Sequence, residues 1–342
     1  ARRMRQSTGF PASTVHKALG LTAGDGNTLE ELEFLEADLV LADEASMLDM
    51  VMTWYLFNAL PPGCRLVLVG DADQLPSVGP GAVLSELIAC GRIPVVKLDK
   101  VFRQDEGSRI AENAKLIRHN IVLNPEENLG DDFQFWPSPS FQQSAELLEK
   151  LYVEEVNRFG VDNVALLTPF RKKTDTGVRA MNERLRAIIN PPAPDKQELM
   201  AGQRLYRVGD KVMQIKNTED LSNGDVGYIR KITLADGNFS VEVDFGENRI
   251  VDYEDYEALN QLELAYASTV HKSQGSEYTS VLISVQSGHG RMLKRPLIYT
   301  AITRAKRRVQ LVGDWAALVS AIQTADTERR NTLLALRVQA PA

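Results

Sequence analysis

Two stretches decide the fold: Leu39-Val40-Leu41-Ala42-Asp43-Glu44, and Leu66-Val67-Leu68-Val69-Gly70-Asp71-Ala72-Asp73-Gln74-Leu75-Pro76. Each is an apolar run that stops at Asp or Gly, the pattern of a strand buried in a parallel sheet. Between them Leu48 to Leu60 reads as a helix closed by Pro61, Pro62 and Gly63. Strand, helix and strand in that order make a βαβ unit, whose ligands sit at the carboxyl ends of the strands. Asp43, Glu44 and Gln74 therefore converge on one crevice. The alternative for each is a solvated loop residue at a strand end.

Working outward, the βα alternation continues. Val83 to Ala89 is predicted as a helix and Val95 to Leu98 as a strand. Ser108 to Arg118 and Ser144 to Arg158 are helical, Val164 to Thr168 is a strand, and Thr176 to Ile189 is a helix stopped by prolines. The pattern changes from about Leu205 to Leu259, where β-branched and aromatic residues recur at period two. Asn223-Gly224-Asp225 and Asp236-Gly237-Asn238 are hairpin turn signals there. A small antiparallel barrel inserted in an α/β domain is expected. Beyond it, Val281 to Val285 and Val309 to Val312 are strands and Trp315 to Thr324 is a helix.

Composition narrows the class. The chain has 342 residues, 39 Lys plus Arg against 46 Asp plus Glu, hence 39 − 46 = −7, with 44% hydrophobic and 25% charged residues. This length suggests two domains, because a single core stops growing at about 250 residues. No apolar stretch approaches the roughly 18 residues of a membrane span. The N-terminal ARRMRQSTGF lacks an apolar run, so no secretory leader is expected. Cys64 and Cys90 are the only cysteines, too few for a disulfide scaffold or a zinc cluster, and a reducing cytoplasm fits. The net charge conceals segregation. Asp25 to Asp49 holds nine acids and no Lys or Arg, whereas Arg291 to Arg308 holds seven Lys or Arg and no acid. Further basic islands lie at Arg2, Arg3, Arg5 and Lys17 and at Arg171, Lys172 and Lys173. They fit a positively lined groove for a nucleic-acid backbone, although a solvated surface reads the same way.

Several segments carry the chemistry. Two acids at a strand end are how a nucleoside triphosphatase places one carboxylate on Mg²⁺ and another beside the attacking water. Val101-Phe102-Arg103-Gln104 and Leu297 to Lys306 each present an arginine. In the second, Tyr299, Ile302 and Ala305 share one helix face and Thr300, Thr303 and Arg304 another. An arginine offered to a triphosphate stabilises charge on the transferring group. Ala267 to Tyr278 gathers Ser268, Thr269, His271, Lys272, Ser273 and Gly275, donors suited to phosphates and a glycine that permits close approach.

In this order the segments resemble the motifs of superfamily 1 helicases. DEAS, GDADQLPSVGPG, FRQ, STVHKSQGSEY and YTAITRAKRR are most similar to the RecD-like branch, the exodeoxyribonuclease V alpha-subunit family. Ser13 to Lys17, Leu167 to Lys172 and Asn223 to Gly227 add to the resemblance, which runs over essentially the whole chain. It implies two RecA-like P-loop NTPase domains, α/β in class, over 1–99 and 100–342. It also implies an SH3-like β-barrel at 205–259 and a short hairpin at 20–36. By the same resemblance, Asp43 holds Mg²⁺, Glu44 activates water, and Gln74, Arg103 and Arg304 contact the γ-phosphate of ATP. Gly275 and Glu277 lie at the nucleotide, Glu277 reaching the ribose. His16, Thr168, Arg171, Asn223, Thr269, His271 and Ser273 lie along single-stranded DNA. The implied activity is ATP-dependent 5′ to 3′ movement on single-stranded and 5′-tailed duplex DNA in recombination and repair, with RecB- and RecC-like companions or with none, and no membrane.

One departure stands out. The chain contains no G-x-x-x-x-G-K-[ST], the loop that cradles β- and γ-phosphates. ARRM resembles the tail of the following motif, so the expectation is a C-terminal portion of a longer protein, inactive in ATP hydrolysis by itself. The other readings are a DNA-binding module that does not hydrolyse ATP and another superfamily 1 helicase, such as a conjugative relaxase helicase domain.

Overall fold

A computed structural model of the chain describes residues 2–21, 32–98, 104, 107–218, 221–235, 237–325, 330 and 332–339. The chain divides into two compact units, Ala1–Lys100 with Asp326–Ala342, and Val101–Ala325. The terminal segment thus groups with the first unit, whereas the resemblance implies a second domain that runs to 342. Among the described residues, no helix is long and apolar enough to cross a membrane.

In the first unit, β1 (Leu39–Ala42) and β2 (Arg65–Leu68) pair in parallel, from Leu39 opposite Arg65 to Ala42 opposite Leu68. A parallel pair requires a crossover, supplied by the helix Met50–Asn58. Asp49 caps it, its carboxylate accepting from Met52 N at 2.7 Å, and Thr53 Oγ1 donates to Asp49 O at 2.6 Å. Val40, Ala42, Leu66 and Leu68 face a core with Leu48, Leu56 and Leu84. The opposite face is open: Leu39, Leu41, Val67 and Val69 are 56%, 50%, 43% and 40% exposed. The sequence predicts both strands buried throughout. Apolar runs of this kind suit a sheet covered on two faces, and among the described residues only one face is covered.

Val95–Leu98, predicted as a strand, is not one, and Val96 and Leu98 are exposed. No described sheet edge takes up its backbone groups. Of the hairpin expected at 20–36, residues 22–31 lie outside the described residues. The helix Leu334–Gln339 packs against Val83–Ala89, with Gln339 Nε2 donating to Cys90 O at 2.9 Å.

The second unit is built on a five-stranded, all-parallel sheet. Its strands are β3 (Phe133–Pro137), β4 (Val164–Thr168), β12 (Ala267–Thr269), β13 (Tyr278–Val285) and β14 (Ala305–Gly313), in the order β12-β4-β13-β14-β3. The helices Phe141–Phe159 and Val178–Ile189 share a core with it through Leu148, Tyr152, Leu166, Met181 and Leu282. The helices Arg109–Arg118, Arg295–Ile302 and Trp315–Gln323 also pack on the sheet.

Between β4 and β12 the chain forms the hairpin β5 (Glu198–Ala201) and β6 (Arg204–Arg207), then β7 (Lys211–Gln214), β8 (Val226–Ala235), β9 (Asn238–Asp244), β10 (Ile250–Tyr253) and β11 (Leu262–Leu264). The last five make an antiparallel sheet in the order β10-β9-β8-β7-β11. Ala235 opposite Asn238 fixes the β8–β9 turn, where Gly237 takes φ 81°. Leu199, Tyr206, Val212, Ile229, Val241 and Phe245 form part of one core, so the hairpin belongs to this SH3-like module. The module therefore exceeds 205–259 at both ends: β5 lies upstream, and β11 closes against β7.

Candidate nucleotide and DNA sites

In the first unit the acidic turn follows β1 directly. Val69 N donates to Ala42 O and Ala45 N to Val69 O, both at 2.8 Å, so the ends of β1 and β2 are locked around Asp43 and Glu44. Glu44 adopts left-handed φ 54° and ψ 38°, and its N–H donates to Asp43 Oδ1 at 2.9 Å. Such a conformation costs a non-glycine residue on the order of 1–3 kcal/mol and clusters at functional sites. Gly70 makes the closure possible. A Cβ there would lie 2.9 Å from Leu84 Cδ2 and 3.0 Å from both Ala45 N and Ser46 N.

Gln74 follows on the same edge. Asp71 organises it: Asp73 N donates to Asp71 Oδ1 at 3.0 Å, and Gln74 Nε2 to Asp71 Oδ2 at 3.2 Å. Gln74 N also donates to Asp71 O at 3.2 Å. The side-chain amide is thus aimed by an Asx-type turn. Asp71 is not among the sequence-predicted site residues, although its spacing to Asp73 and Gln74 is a signal that could have found it. His16 is exposed on the short helix Val15–Ala18, capped by Thr14. Arg103 lies outside the described residues.

In the second unit, Gly275 takes φ 75° with open space around it, so conformation rather than crowding calls for glycine. Glu277 is nearly buried and pairs with Lys306 at 3.3 Å. The sequence predicts Arg304 on a helix face. Instead the helix ends at Ile302 and β14 begins at Ala305, because Tyr278 N donates to Arg304 O at 2.9 Å and draws this stretch beside β13. Arg304 is only 1% exposed, donating from Nε to Thr300 O at 3.3 Å and from Nη1 to Ser276 O at 3.4 Å. The Gly275–Glu277 and Arg304–Lys306 segments are therefore joined.

The DNA candidates gather at the ends of two neighbouring strands, since Thr168 on β4 stands opposite Thr269 on β12. Thr269 Oγ1 accepts from Lys272 N at 3.3 Å, opening the turn that carries His271. Burial lowers the His271 pKa, so the ring is neutral at pH 7 and offers a hydrogen bond rather than a charge. Thr168 and Ser273 differ from the expectation of direct contact. Both are buried; Ser273 Oγ donates to Val270 O at 2.8 Å, and Thr168 Oγ1 makes no hydrogen bond among the described residues. They support the strand ends. Arg171 is half-exposed and pairs with Glu263. Asn223 is exposed at the β7–β8 loop, its N–H donating to Asn217 Oδ1 at 2.8 Å.

A family model described as an AAA domain matches residues 1–128. An "ATP-dependent RecD-like DNA helicase SH3 domain" model matches 181–245, and a "UvrD-like helicase C-terminal domain" model matches 264–312. The "ATP-dependent RecD2 DNA helicase" of Deinococcus radiodurans is 36% identical over 342 residues, covering 99% of this chain and 45% of that protein. The "RecBCD enzyme subunit RecD" of Mycobacterium tuberculosis is 30% identical over 333 residues, covering 91% and 55%. The chain thus spans about half the length of these curated relatives. Among solved structures, Pif1 at forked duplex DNA has TM-score 0.52 and 20% identity over 88% of this chain and 78% of that one. Bacteroides Pif1 bound to single-stranded DNA has TM-score 0.50 and 18% identity over 91% and 84%. The fold is that of superfamily 1 helicases: a parallel α/β sheet with an SH3-like insertion. Within that class, the chain belongs to the RecD-like helicases.

Proposed function

We propose that this chain is the motor portion of an ATP-dependent helicase that moves 5′ to 3′ on single-stranded DNA and opens 5′-tailed duplexes in recombination and repair. The observation that carries the reading is the locked acidic turn at the end of β1, with Gln74 fixed on the neighbouring strand edge. A left-handed glutamate held by the ends of two strands matches a group that must orient one water. In that role Glu44 accepts the water proton while Asp43 faces the metal.

The residues fit Mg²⁺. Asp43 is exposed and its Oδ1 is oriented by a backbone N–H. Among the described residues no cluster of three His, Cys, Asp or Glu side chains could hold a metal. Mg²⁺ is usually bound through one or two carboxylates plus substrate phosphates, and Asp43 offers one such carboxylate. When bound, Mg²⁺ neutralises charge on the β- and γ-phosphate oxygens. In this reading Gln74 senses the γ-phosphate through its amide. The ends of β4 and β12 carry the strand of DNA, with Arg171 on its phosphates and His271 and Thr269 as hydrogen-bonding groups.

Glu44→Gln tests this in the protein as its gene encodes it. DNA-stimulated ATP hydrolysis is expected to fall by about 10²- to 10⁴-fold, the usual worth of a general base, while single-strand affinity stays unchanged. Hydrolysis near the wild-type rate would remove Glu44 from the role.

A further inference from the structure

One carboxylate in the second unit holds three cations from three separate segments. Glu263, on β11, is mostly buried. Its Oε1 accepts from Arg171 Nη2, in the loop after β4, and from Arg204 Nη2, on β6, at 3.5 Å. Its Oε2 accepts from Lys272 Nζ, in the turn after β12, at 3.3 Å. Arg204 is further tied by Nη1 to Asn260 O at 3.2 Å and Leu262 O at 2.9 Å. Arg171 stays 51% exposed, and a guanidinium has five N–H donors, so pairing with Glu263 still leaves it donors for a phosphate. Arg171, Arg204 and Glu263 line a cleft of about 80 Å³ together with Tyr206 and Leu262.

Burial would raise the Glu263 pKa. The hydrogen bond from Arg171, the charges of Lys272 and Arg171 and the hydrogen bond from Lys272 outweigh it and hold the carboxyl below its ordinary value. It is ionised at neutral pH, and the cluster carries three positive charges and one negative. Without Glu263 the three cations would repel one another, and two of them are long flexible side chains that splay into solvent.

We propose that Glu263 is a positioning residue of the DNA interface: it holds Arg171, Lys272 and Arg204 as one preorganised phosphate-binding cluster and thereby ties the SH3-like module to the β4 and β12 ends. The proposal rests on the DNA-binding reading above. It makes a prediction of unusual sign. If Glu263 acted only through its charge, removing an acid beside a phosphate track would tighten DNA binding. If it positions the cations, removal weakens binding.

The test measures affinity for a labelled oligothymidylate across a salt series, using the full protein. Glu263→Gln is expected to weaken binding about tenfold near 0.1 M salt and to flatten the plot of log affinity against log salt by about 0.7 for each phosphate that is no longer neutralised. Glu263→Asp recovers part of both. In an Arg171→Ala, Lys272→Ala background, Glu263→Gln is expected to have little further effect. Unchanged or tighter binding by Glu263→Gln overturns the proposal. So does an equal loss in the double-substituted background, because Glu263 would then act through the fold alone. Failure of the wild-type protein to bind at all would overturn the DNA-binding reading itself, and the proposal with it.

Discussion

Gly70 shows how one missing side chain shapes the nucleotide edge. The atoms that a Cβ would meet include two backbone nitrogens, Ala45 N and Ser46 N, both at 3.0 Å, which cannot rotate away as a leucine methyl can. Gly70→Ala must therefore push the Asp71–Gln74 turn off the Glu44–Ala45 turn. We expect a stability loss of about 1–3 kcal/mol, typical of overpacking, and a fall in ATP hydrolysis with DNA affinity intact. Urea unfolding and paired ATPase and binding assays check it; unchanged stability would show that the two turns separate freely. At this scale Asp43, Glu44 and Gln74 are legible in the sequence because a strand end dictates where they stand. Thr168 and Ser273 are legible as residue types only. Burial depends on neighbouring strands, and sequence spacing within β4 or β12 does not report it. Glu263 leaves no local trace, since its three partners come from segments far apart in the chain.

Elements are legible where periodicity is clean and hidden where charge or brevity masks it. The sequence pattern of β14 starts only at Val309, because Lys306, Arg307 and Arg308 disguise a start at Ala305 that pairing with β13 imposes. β3 is five residues at the sheet edge and ends in proline, too short and too interrupted to show a period. The tail gives no signal of its docking either, yet its Arg330 grips the loop after Gln74. Nη1 donates to Ser77 Oγ at 3.0 Å and to Gly79 O and Gly81 O at 2.7 Å, and Nη2 donates to Ser77 O at 2.6 Å. The loop's other side is fixed, since Met50 N donates to Pro80 O at 2.8 Å and Gly79 lies flat on Asp49. Arg330→Ala leaves partly buried carbonyls unpaired and is expected to cost about 2 kcal/mol. Arg330→Lys should rescue poorly, because an ammonium lacks the planar fork. Hydrogen exchange of the amides at 77–81 and urea unfolding measure both effects; full rescue by lysine would mean that charge alone matters.

For the whole molecule, length alone suggests two domains and the chain forms two compact units, but nothing in the composition of the tail signals its grouping with the first. The second unit carries its own pH dependence. Asp210 is fully buried where the SH3-like module meets the helix Val178–Ile189. It accepts from Asn190 Nδ2 at 2.8 Å and Arg207 N at 2.9 Å, with Arg186 Nη1 at 3.8 Å. Burial pushes its pKa up to about 6, against the opposing hydrogen bond from Asn190 and the charge of Arg186. The unfolded chain titrates this carboxyl near about 3.9, so between those values the folded form binds more protons than the unfolded one. Its contribution is therefore fully present below about pH 4 and is lost as pH rises to about 6. A carboxyl that titrates this much higher in the folded state than in the unfolded one costs on the order of 3 kcal/mol at neutral pH. Asp210→Asn cannot titrate. The difference in unfolding free energy, wild type minus variant, should then decline by a few kcal/mol from about pH 4 to about pH 7, followed by urea titration at each pH. A difference that stays constant across that range would mean that Asp210 keeps an ordinary carboxylate pKa in the folded protein.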